Sequence, residues 1–163
     1  MINKKAMEVF GKPAINPLLF YSGKIAGYIV WIILIFSLMN KNILPETIHL
    51  HLDVIGYILL VPGLLFSVLS LFTLGRSTRF GIPTNKTTLK TGGLYRISRN
   101  PIYLGFNLIT VSSVLILLNP VILVLGVFSM SVYHLIIMAE EQFLEKAFGS
   151  DYLEYKKRVR RYV

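Results

Sequence analysis

Residues 101–139 read PIYLGFNLITVSSVLILLNPVILVLGVFSMSVYHLIIMA and contain no Asp, Glu, Lys or Arg. A helix needs roughly 20 apolar residues to cross the hydrocarbon core of a bilayer, so this stretch is too long for one span. Asn119 and Pro120 interrupt it near the middle, because proline cannot continue a helix interior and asparagine favours a turn. The sequence therefore predicts a tight helical hairpin with spans at residues 102–118 and 121–139.

Two further apolar runs precede this hairpin. Residues 18–39 carry a single charge, Lys24, and residues 54–74 carry none. Lys24 lies near the beginning of its run and can extend its ammonium toward the headgroups. Together with the hairpin, these runs predict an all-α integral membrane protein. We expect one membrane domain over residues 1–163 with four transmembrane helices.

The composition is typical of the same class. Of the 163 residues, 54% are hydrophobic and only 15% are charged, and the mean hydropathy is +0.63. Soluble domains carry about 25% charged residues. Cysteine is absent, which excludes disulfides, thiolate metal sites and cysteine nucleophiles, and we expect no metal. The N-terminus shows no signal-peptide pattern, so the first apolar run is expected to remain as a span.

The basic residues flank the apolar runs. The net charge is +9, yet of the 17 Lys and Arg residues only Lys41 falls on the far side of the predicted topology. The positive-inside rule then places both termini and the loop at residues 75–100 in the cytoplasm. This distribution favours a multi-pass protein of the bacterial cytoplasmic membrane over a nucleic-acid-binding protein.

The segment after Ala139 has a helical pattern. Its apolar residues recur at spacings of three and four, with one break at Gly149. Gly149 is expected to end one helix, and Ser150 with Asp151 to cap the next. We therefore predict two short amphipathic helices over residues 140–163 on the cytoplasmic surface, where their basic side chains meet anionic lipid headgroups.

Two polar segments are expected to meet at the cytoplasmic end of the hairpin. Residues 92–105 read GGLYRISRNPIYLG, and residues 140–155 read EEQFLEKAFGSDYLEY. Because the two spans of a hairpin end side by side, Arg99 is expected close to Glu140 and Glu141. The topology therefore predicts a polar site at the membrane surface.

These residues resemble the isoprenylcysteine carboxyl methyltransferase family and its bacterial relatives, which are also similar to phospholipid N-methyltransferases. The family loop runs roughly L-V-T-x-G-x-Y and then R-H-P-x-Y-x-G, and a second motif is E-E followed by F-G-x-x-Y-x-x-Y. The resemblance covers residues 74–163. The first motif stands here as Leu89, Lys90, Thr91, Gly93, Tyr95, Arg99, Asn100, Pro101, Tyr103 and Gly105, and the second as Glu140, Glu141, Phe148, Gly149, Tyr152 and Tyr155.

The resemblance implies a membrane enzyme that transfers a methyl group from S-adenosyl-L-methionine to a lipophilic small molecule or a lipid. Carboxyl O-methylation is the reaction most typical of the family. The implied catalytic residues are Arg99, Glu140 and Glu141. The implied cofactor-binding residues are Thr87, Thr88, Leu89, Lys90, Tyr95, Asn100, Pro101, Ile102, Tyr103 and Glu140.

The chemistry of these side chains suits that cofactor. Tyrosine faces attract a sulfonium cation, a glutamate can accept from the ribose or ammonium, and Arg99 can hold a carboxylate. A carboxylate acceptor is already ionised near neutral pH. An amine or thiol acceptor needs a base, for which Glu140, Glu141 or His134 are the nearby groups.

Two positions depart from the family pattern. Asn100 replaces the usual histidine, which keeps a hydrogen-bonding side chain but removes a group that titrates near neutral pH. Ile136 stands where the eukaryotic enzymes hold the substrate carboxylate with an arginine. The resemblance therefore defines the donor better than the acceptor.

Alternatives stay open at this point. The chain could be a phospholipid headgroup N-methyltransferase, an NADPH-dependent membrane reductase or a non-catalytic scaffold, and its oligomeric state is undetermined. Glu141 could be a solvated helix end paired with Lys146 or Arg158. His134 is either functional or a neutral histidine hydrogen-bonded to another span.

Overall fold

The computed structural model describes residues 12–39, 52–74 and 88–163, and the regular structure in these ranges is helical. This confirms the predicted all-α class. A short 3₁₀ helix, Gly93–Arg96, precedes the hairpin. The α-helices are α1 (Pro17–Leu38), α2 (Asp53–Leu74), α3 (Pro101–Leu117), α4 (Pro120–Phe148) and α5 (Ser150–Arg158).

Three of these helices are long and apolar enough to cross a membrane, namely α1, α2 and α4. The fourth apolar helix, α3, has 17 residues and is shorter than the other three. It lies at the lower end of the length that spans a bilayer. The count of four transmembrane helices stays a prediction.

The hairpin turn has the predicted residues at its centre. Leu118 adopts a left-handed conformation with φ of 41° and ends α3. Asn119 then caps α4, because its side-chain oxygen accepts a hydrogen bond from the Val121 amide at 2.9 Å. Pro120 occupies the first turn of α4, where a missing amide hydrogen costs nothing. The predicted break is confirmed.

The prediction that residues 140–148 form a separate short helix was wrong. Residues 140–148 continue α4 without interruption, so α4 has 29 residues. The break at Gly149 is confirmed: its φ of 52° is a conformation that glycine adopts readily. Helix α5 begins at Ser150 with no side-chain cap, so the capping role predicted for Ser150 and Asp151 was also wrong.

Helices α2 and α3 contact each other through their backbones. A Cβ atom placed on Gly105 would lie 2.6 Å from the amide nitrogen of Ser67 and 2.7 Å from the carbonyl oxygen of Gly63. About two helical turns from Gly105, the Ser112 hydroxyl of α3 donates to the Gly56 carbonyl of α2 at 2.8 Å. Small residues at such seams let membrane helices approach closely.

Helix α1 packs against both helices of the hairpin. At Gly27 a Cβ atom would lie 2.6 Å from the hydroxyl oxygen of Ser129 and 2.8 Å from that of Tyr133, so α1 and α4 are in close contact. The Trp31 indole donates to the Thr110 hydroxyl at 3.0 Å, which connects α1 to α3. These contacts place α1 against the middle of α3 and the middle of α4.

Substituting Gly105 tests the α2–α3 seam. Because the added methyl group of Gly105→Ala meets backbone atoms, the helices must separate, and overpacking of this kind costs about 1–3 kcal/mol. We expect a lower unfolding temperature in detergent micelles, measured by the loss of helical circular dichroism on heating.

Gly92→Ala is the matched control, since a Cβ atom there has no neighbour within 4 Å and Gly92 has a negative φ. An unchanged unfolding temperature in Gly105→Ala would contradict the close approach of the two helices.

Candidate active site

The first polar contact lies where α3 begins beside α4. The Tyr103 hydroxyl donates to the Oε1 atom of Glu140 at 3.0 Å. Tyr103 is held by two aromatic neighbours: its ring centroid is 6.2 Å from that of Phe106 and 5.7 Å from that of Tyr133. The sequence prediction that these two motifs meet is therefore confirmed by a direct hydrogen bond.

Two more side chains act electrostatically on the Glu140 carboxylate. The Lys24 ammonium of α1 and the Tyr95 side chain of the 3₁₀ helix both lie within electrostatic range of it. Glu140, Tyr103, Tyr95 and Lys24 therefore form one group, called the carboxylate site below. Its members come from α1, the 3₁₀ helix, α3 and α4.

The neighbouring glutamate makes a separate set of contacts. Glu141 is buried, and its carboxylate pairs with Arg99 at 3.1 Å and with Arg161 at 3.0 Å. The Asn100 amide also donates to it at 3.0 Å. This group of four residues is called the clamp below. The alternative of a solvated helix end paired with Lys146 or Arg158 was wrong.

The guanidinium of Arg99 donates hydrogen bonds both to Glu141 and to backbone carbonyl groups of the tail. Its Nε and Nη2 atoms donate to Glu141, and Nη1 donates to the carbonyl oxygens of Lys156 and Val159 at 3.2 and 2.9 Å. These five hydrogen bonds involve all three nitrogens of the guanidinium. Its side chain is only 8% exposed. Arg99 is therefore a buried connector between α4 and the end of the chain.

The last residues of the chain are bonded to the segment that enters α3. The Arg99 amide donates to the Arg160 carbonyl at 3.0 Å, and the Ser98 hydroxyl donates to the Arg161 carbonyl at 3.1 Å. The Tyr162 hydroxyl lies 2.8 Å from Nδ1 of His134. His134 thus contacts the tail, and the alternative that it bonds to another span is not what the structure shows.

A tyrosine cluster closes the other side of the loop. Tyr95, Tyr152, Tyr155 and Val159 are buried together, and the Tyr155 hydroxyl donates to the Tyr95 carbonyl at 2.6 Å. Burial raises the pKa of Tyr155 to about 12, so this hydroxyl keeps its proton at neutral pH. Helix α5 thereby holds Tyr95 beside the carboxylate site.

The other residues predicted for the cofactor differ in exposure. Thr88 and Lys90 are exposed, and Leu89 packs on the tyrosine cluster. Pro101 is buried at the start of α3 and Ile102 is partly exposed. Thr87 lies outside the described residues.

Sequence reasoning missed two members of these groups. Arg161 is one basic residue within a basic tail, and no pattern separates it from its neighbours. Lys24 had a usable signal, since a charge inside an apolar helix is a functional hypothesis by default. It was interpreted only as a side chain that reaches the headgroups.

Proteins similar to this chain carry methyltransferase names. The Saccharomyces cerevisiae protein-S-isoprenylcysteine O-methyltransferase is 34% identical over 110 residues, covering 65% of this chain and 46% of that protein. The Arabidopsis thaliana protein-S-isoprenylcysteine O-methyltransferase A is 34% identical over 117 residues, covering 68% and 58%. The chain thus spans about half the length of these relatives.

A solved structure supports the same fold. The structure of the eukaryotic intramembrane Ras methyltransferase isoprenylcysteine carboxyl methyltransferase matches with a TM-score of 0.62 and 24% sequence identity, covering 89% of this chain and 52% of that one. At this identity the likeness concerns the fold alone.

The family match begins earlier than the two motifs indicate. A protein-family model described as Phospholipid methyltransferase (PEMT) matches residues 52–151 of the sequence. This range includes α2, the hairpin and the start of α5 but not α1. This range is more than half of the 163 residues and contains Tyr103, Glu140 and Glu141. The chain belongs to the phospholipid methyltransferase family.

Proposed function

We propose that the protein is an integral membrane methyltransferase that uses S-adenosyl-L-methionine and methylates a lipophilic acceptor, with carboxyl O-methylation as its reaction. The observation that carries the proposal is the hydrogen bond between Tyr103 and Glu140, which joins the start of α3 to α4. The family membership and the names of the relatives support the same class of reaction. They do not favour an NADPH-dependent reductase or a scaffold.

The carboxylate site fits the chemistry of this cofactor. S-adenosyl-L-methionine would supply a methyl group on a cationic sulfur, next to an ammonium group. Glu140 offers Oε2, which accepts no hydrogen bond from the described residues, and Tyr95 and Tyr103 offer aromatic faces. Carboxylates and aromatic faces both attract such cations. We assign cofactor contact to these three residues, with Thr88, Leu89 and Lys90 at the edge of the same pocket.

The clamp has a different role in this proposal. Because all three guanidinium nitrogens of Arg99 are bonded within the protein and the side chain is only 8% exposed, we do not assign a ligand carboxylate to Arg99. Glu141 is likewise occupied by two arginines and Asn100. We therefore propose that Arg99, Asn100 and Glu141 position the loop and the tail around the pocket, and that Glu140 alone of the glutamate pair contacts the cofactor.

Methylation of a carboxylate requires no acid or base from the protein. A carboxylate acceptor is ionised near neutral pH, so no base has to remove a proton. The residues of the site then contribute by holding both partners in line, and orientation alone can lower a barrier by roughly 7–11 kcal/mol in favourable cases. The buried tyrosines around Glu140 also keep water from competing with the acceptor.

The helix lengths support a proposal for how the chain crosses the membrane. We propose four spans in one domain, with α3 crossing as a short helix and both termini in the cytoplasm. At a rise of 1.5 Å per residue the 29 residues of α4 extend about 43 Å, beyond a hydrocarbon core of about 30 Å. The surplus carries Glu140 and Glu141 into the interface. The exposed Lys156, Lys157 and Arg158 of α5 would meet anionic headgroups.

A second candidate is phospholipid headgroup N-methylation, which the description of the family favours. An amine acceptor must lose a proton before it attacks, and Glu140 is the group placed to accept it. Expression in a bacterial host that makes phosphatidylethanolamine but no methylated derivative tests this candidate. Mass spectrometry of the lipids would show mono-, di- or trimethylated phosphatidylethanolamine if it is correct.

Neutralising Glu140 tests the cofactor site. Glu140→Gln keeps the shape but removes the charge, and hydrogen bonds to charged groups contribute about 1.5–3 kcal/mol. We expect the affinity for S-adenosylhomocysteine, measured by isothermal titration in detergent, to fall about 10- to 100-fold. Tyr103→Phe should weaken binding less, because it retains the ring.

The control for this experiment is Glu145→Gln. Glu145 lies on the same helix, but it is exposed and pairs with the exposed Lys156 at 3.1 Å. Equal affinity in Glu140→Gln and Glu145→Gln would remove Glu140 from the cofactor site.

Neutralising Glu141 tests the clamp. Glu141→Gln leaves the buried guanidinium of Arg99 without its counter-charge, and breaking a buried pair costs about 3–5 kcal/mol. We expect a lower unfolding temperature and faster tryptic cleavage after Lys156, Lys157 and Arg158. The reason is that the tail loses its attachment to α4.

Glu154→Gln is the surface counterpart. It breaks an ion pair of 3.9 Å with Arg158 in which both side chains are more than 70% exposed. Surface pairs of this kind contribute about 0–1 kcal/mol. If both variants unfold and digest alike, the clamp does not hold the tail.

A further inference from the structure

Lys24 has a position that the proposed mechanism does not use. It is the single Lys or Arg within α1, α2, α3 and the part of α4 before Glu140. A charged side chain in a membrane span is costly and marks a substrate path or a relay in many membrane proteins. Its contacts therefore bear on function.

Lys24 lies on the side of α1 that packs against α4. Its neighbour Gly23 contacts Val132 of α4 directly. The Lys24 Nζ atom lies 4.0 Å from the ring centroid of Phe20, which is 3% exposed and clusters with Val132, Tyr133 and Ile136. Since Tyr103 packs against the same cluster and its hydroxyl donates to Glu140, the ammonium lies on the α1 side of the carboxylate site.

Helix α4 brings no cation of its own to this place. From Pro120 to Glu141 it contains no Lys or Arg, and Ile136, one turn before Glu140, is fully buried in the Phe20 cluster. The positive charge that faces Glu140 across the α1–α4 seam comes from Lys24. Arg99 and Arg161 are both paired with the neighbouring Glu141.

We propose that Lys24 binds the carboxylate of the methyl acceptor and so determines which acceptors the protein uses. This inference rests on the proposed function, because it takes S-adenosyl-L-methionine to be bound at Glu140. That cofactor carries a net charge of +1, from a sulfonium, an ammonium and a carboxylate. With Glu140 and Lys24 charged, an acceptor carboxylate brings the total to zero, whereas a neutral or protonated amine leaves it positive.

An aromatic surface adjoins this cation. The ring centroids of Trp31 and Phe106 are 5.0 Å apart, those of Phe106 and Tyr133 5.9 Å, and those of Tyr28 and Trp31 5.7 Å. Together with Tyr103, these rings form an apolar surface between α1, α3 and α4, below the carboxylate site. An acceptor with a carboxylate head and an apolar body matches a cation next to such a surface.

Direct binding in detergent micelles tests the proposal. The probes are N-acetyl-S-farnesyl-L-cysteine and its carboxamide, which differ only in the charge of the head group. The wild type should bind the acid at least tenfold more tightly than the amide. Lys24→Met should abolish this preference, Lys24→Gln should do the same, and Lys24→Arg should retain it.

Two controls separate this proposal from the function on which it rests. Lys12→Met removes an exposed cation from the same side of the protein and should leave the preference unchanged. S-adenosylhomocysteine should bind Lys24→Arg and the wild type equally, because the charge beside Glu140 is kept. Lys24→Met should still bind it, with an affinity shifted by the lost charge, and a complete loss of binding would mean that Lys24 holds the cofactor carboxylate instead, which overturns the proposal. An unchanged acid preference in Lys24→Met also overturns it, while the cofactor binding of the wild type is unaffected. Only a wild type that does not bind S-adenosylhomocysteine would count against the methyltransferase function itself.

Discussion

The ion pairs of Glu141 hold together the part of the protein that carries the site. A buried carboxylate is stable only when its charge is balanced and its oxygens accept hydrogen bonds, and Glu141 achieves both with Arg99, Arg161 and Asn100. These partners belong to the segment before α3 and to the end of the chain. The pairing therefore fastens the tail and the loop to α4 at one point. Tyr95 keeps its place beside Glu140 because the tail, with Tyr155, is fastened there.

The two glutamates of the pair divide the work between them. Consecutive residues on an α-helix are rotated by about 100°, so Glu140 and Glu141 face different neighbours. Glu140 faces Tyr103 and Lys24 and keeps one oxygen without a donor among the described residues. Glu141 is fully engaged. Two identical neighbouring residues thus differ in their contacts: Glu141 holds the loop and the tail, and Glu140 is the one that we propose for the cofactor.

Most of the helices and one contact of the candidate site could be predicted from the sequence. The apolar runs, the break at Asn119 and the meeting of Tyr103 with Glu140 follow from helix length, turn chemistry and the shortness of a hairpin. The extent of α4 could not, because residues 140–148 contain no helix breaker and amphipathic periodicity does not show where a span ends. Glycine at position 149 was the first signal that could stop it.

The partners of the charged residues could not be predicted from the sequence. The tail contains several basic residues at similar spacing, and which of them reaches Glu141 depends on how the chain turns after α5. Arg161 does so only because the segment beyond Arg158 leaves the helix and runs beside Ser98. Similarly, the sequence predicts that Lys24 is a membrane anchor, and its position on the α1 side of Glu140 depends on the close packing of α1 on α4.

The unbroken length of α4 has a mechanical consequence. A straight helix transmits rotation about its axis along its whole length, and α4 runs from the hairpin turn through the membrane to Phe148. Val132 near its middle is held by α1, and Glu140 and Glu141 lie two to three turns further along. A ligand that turns Glu140 must also turn Glu141 and move the tail attached to it. Movements of the helix bundle and of the tail are therefore linked through α4.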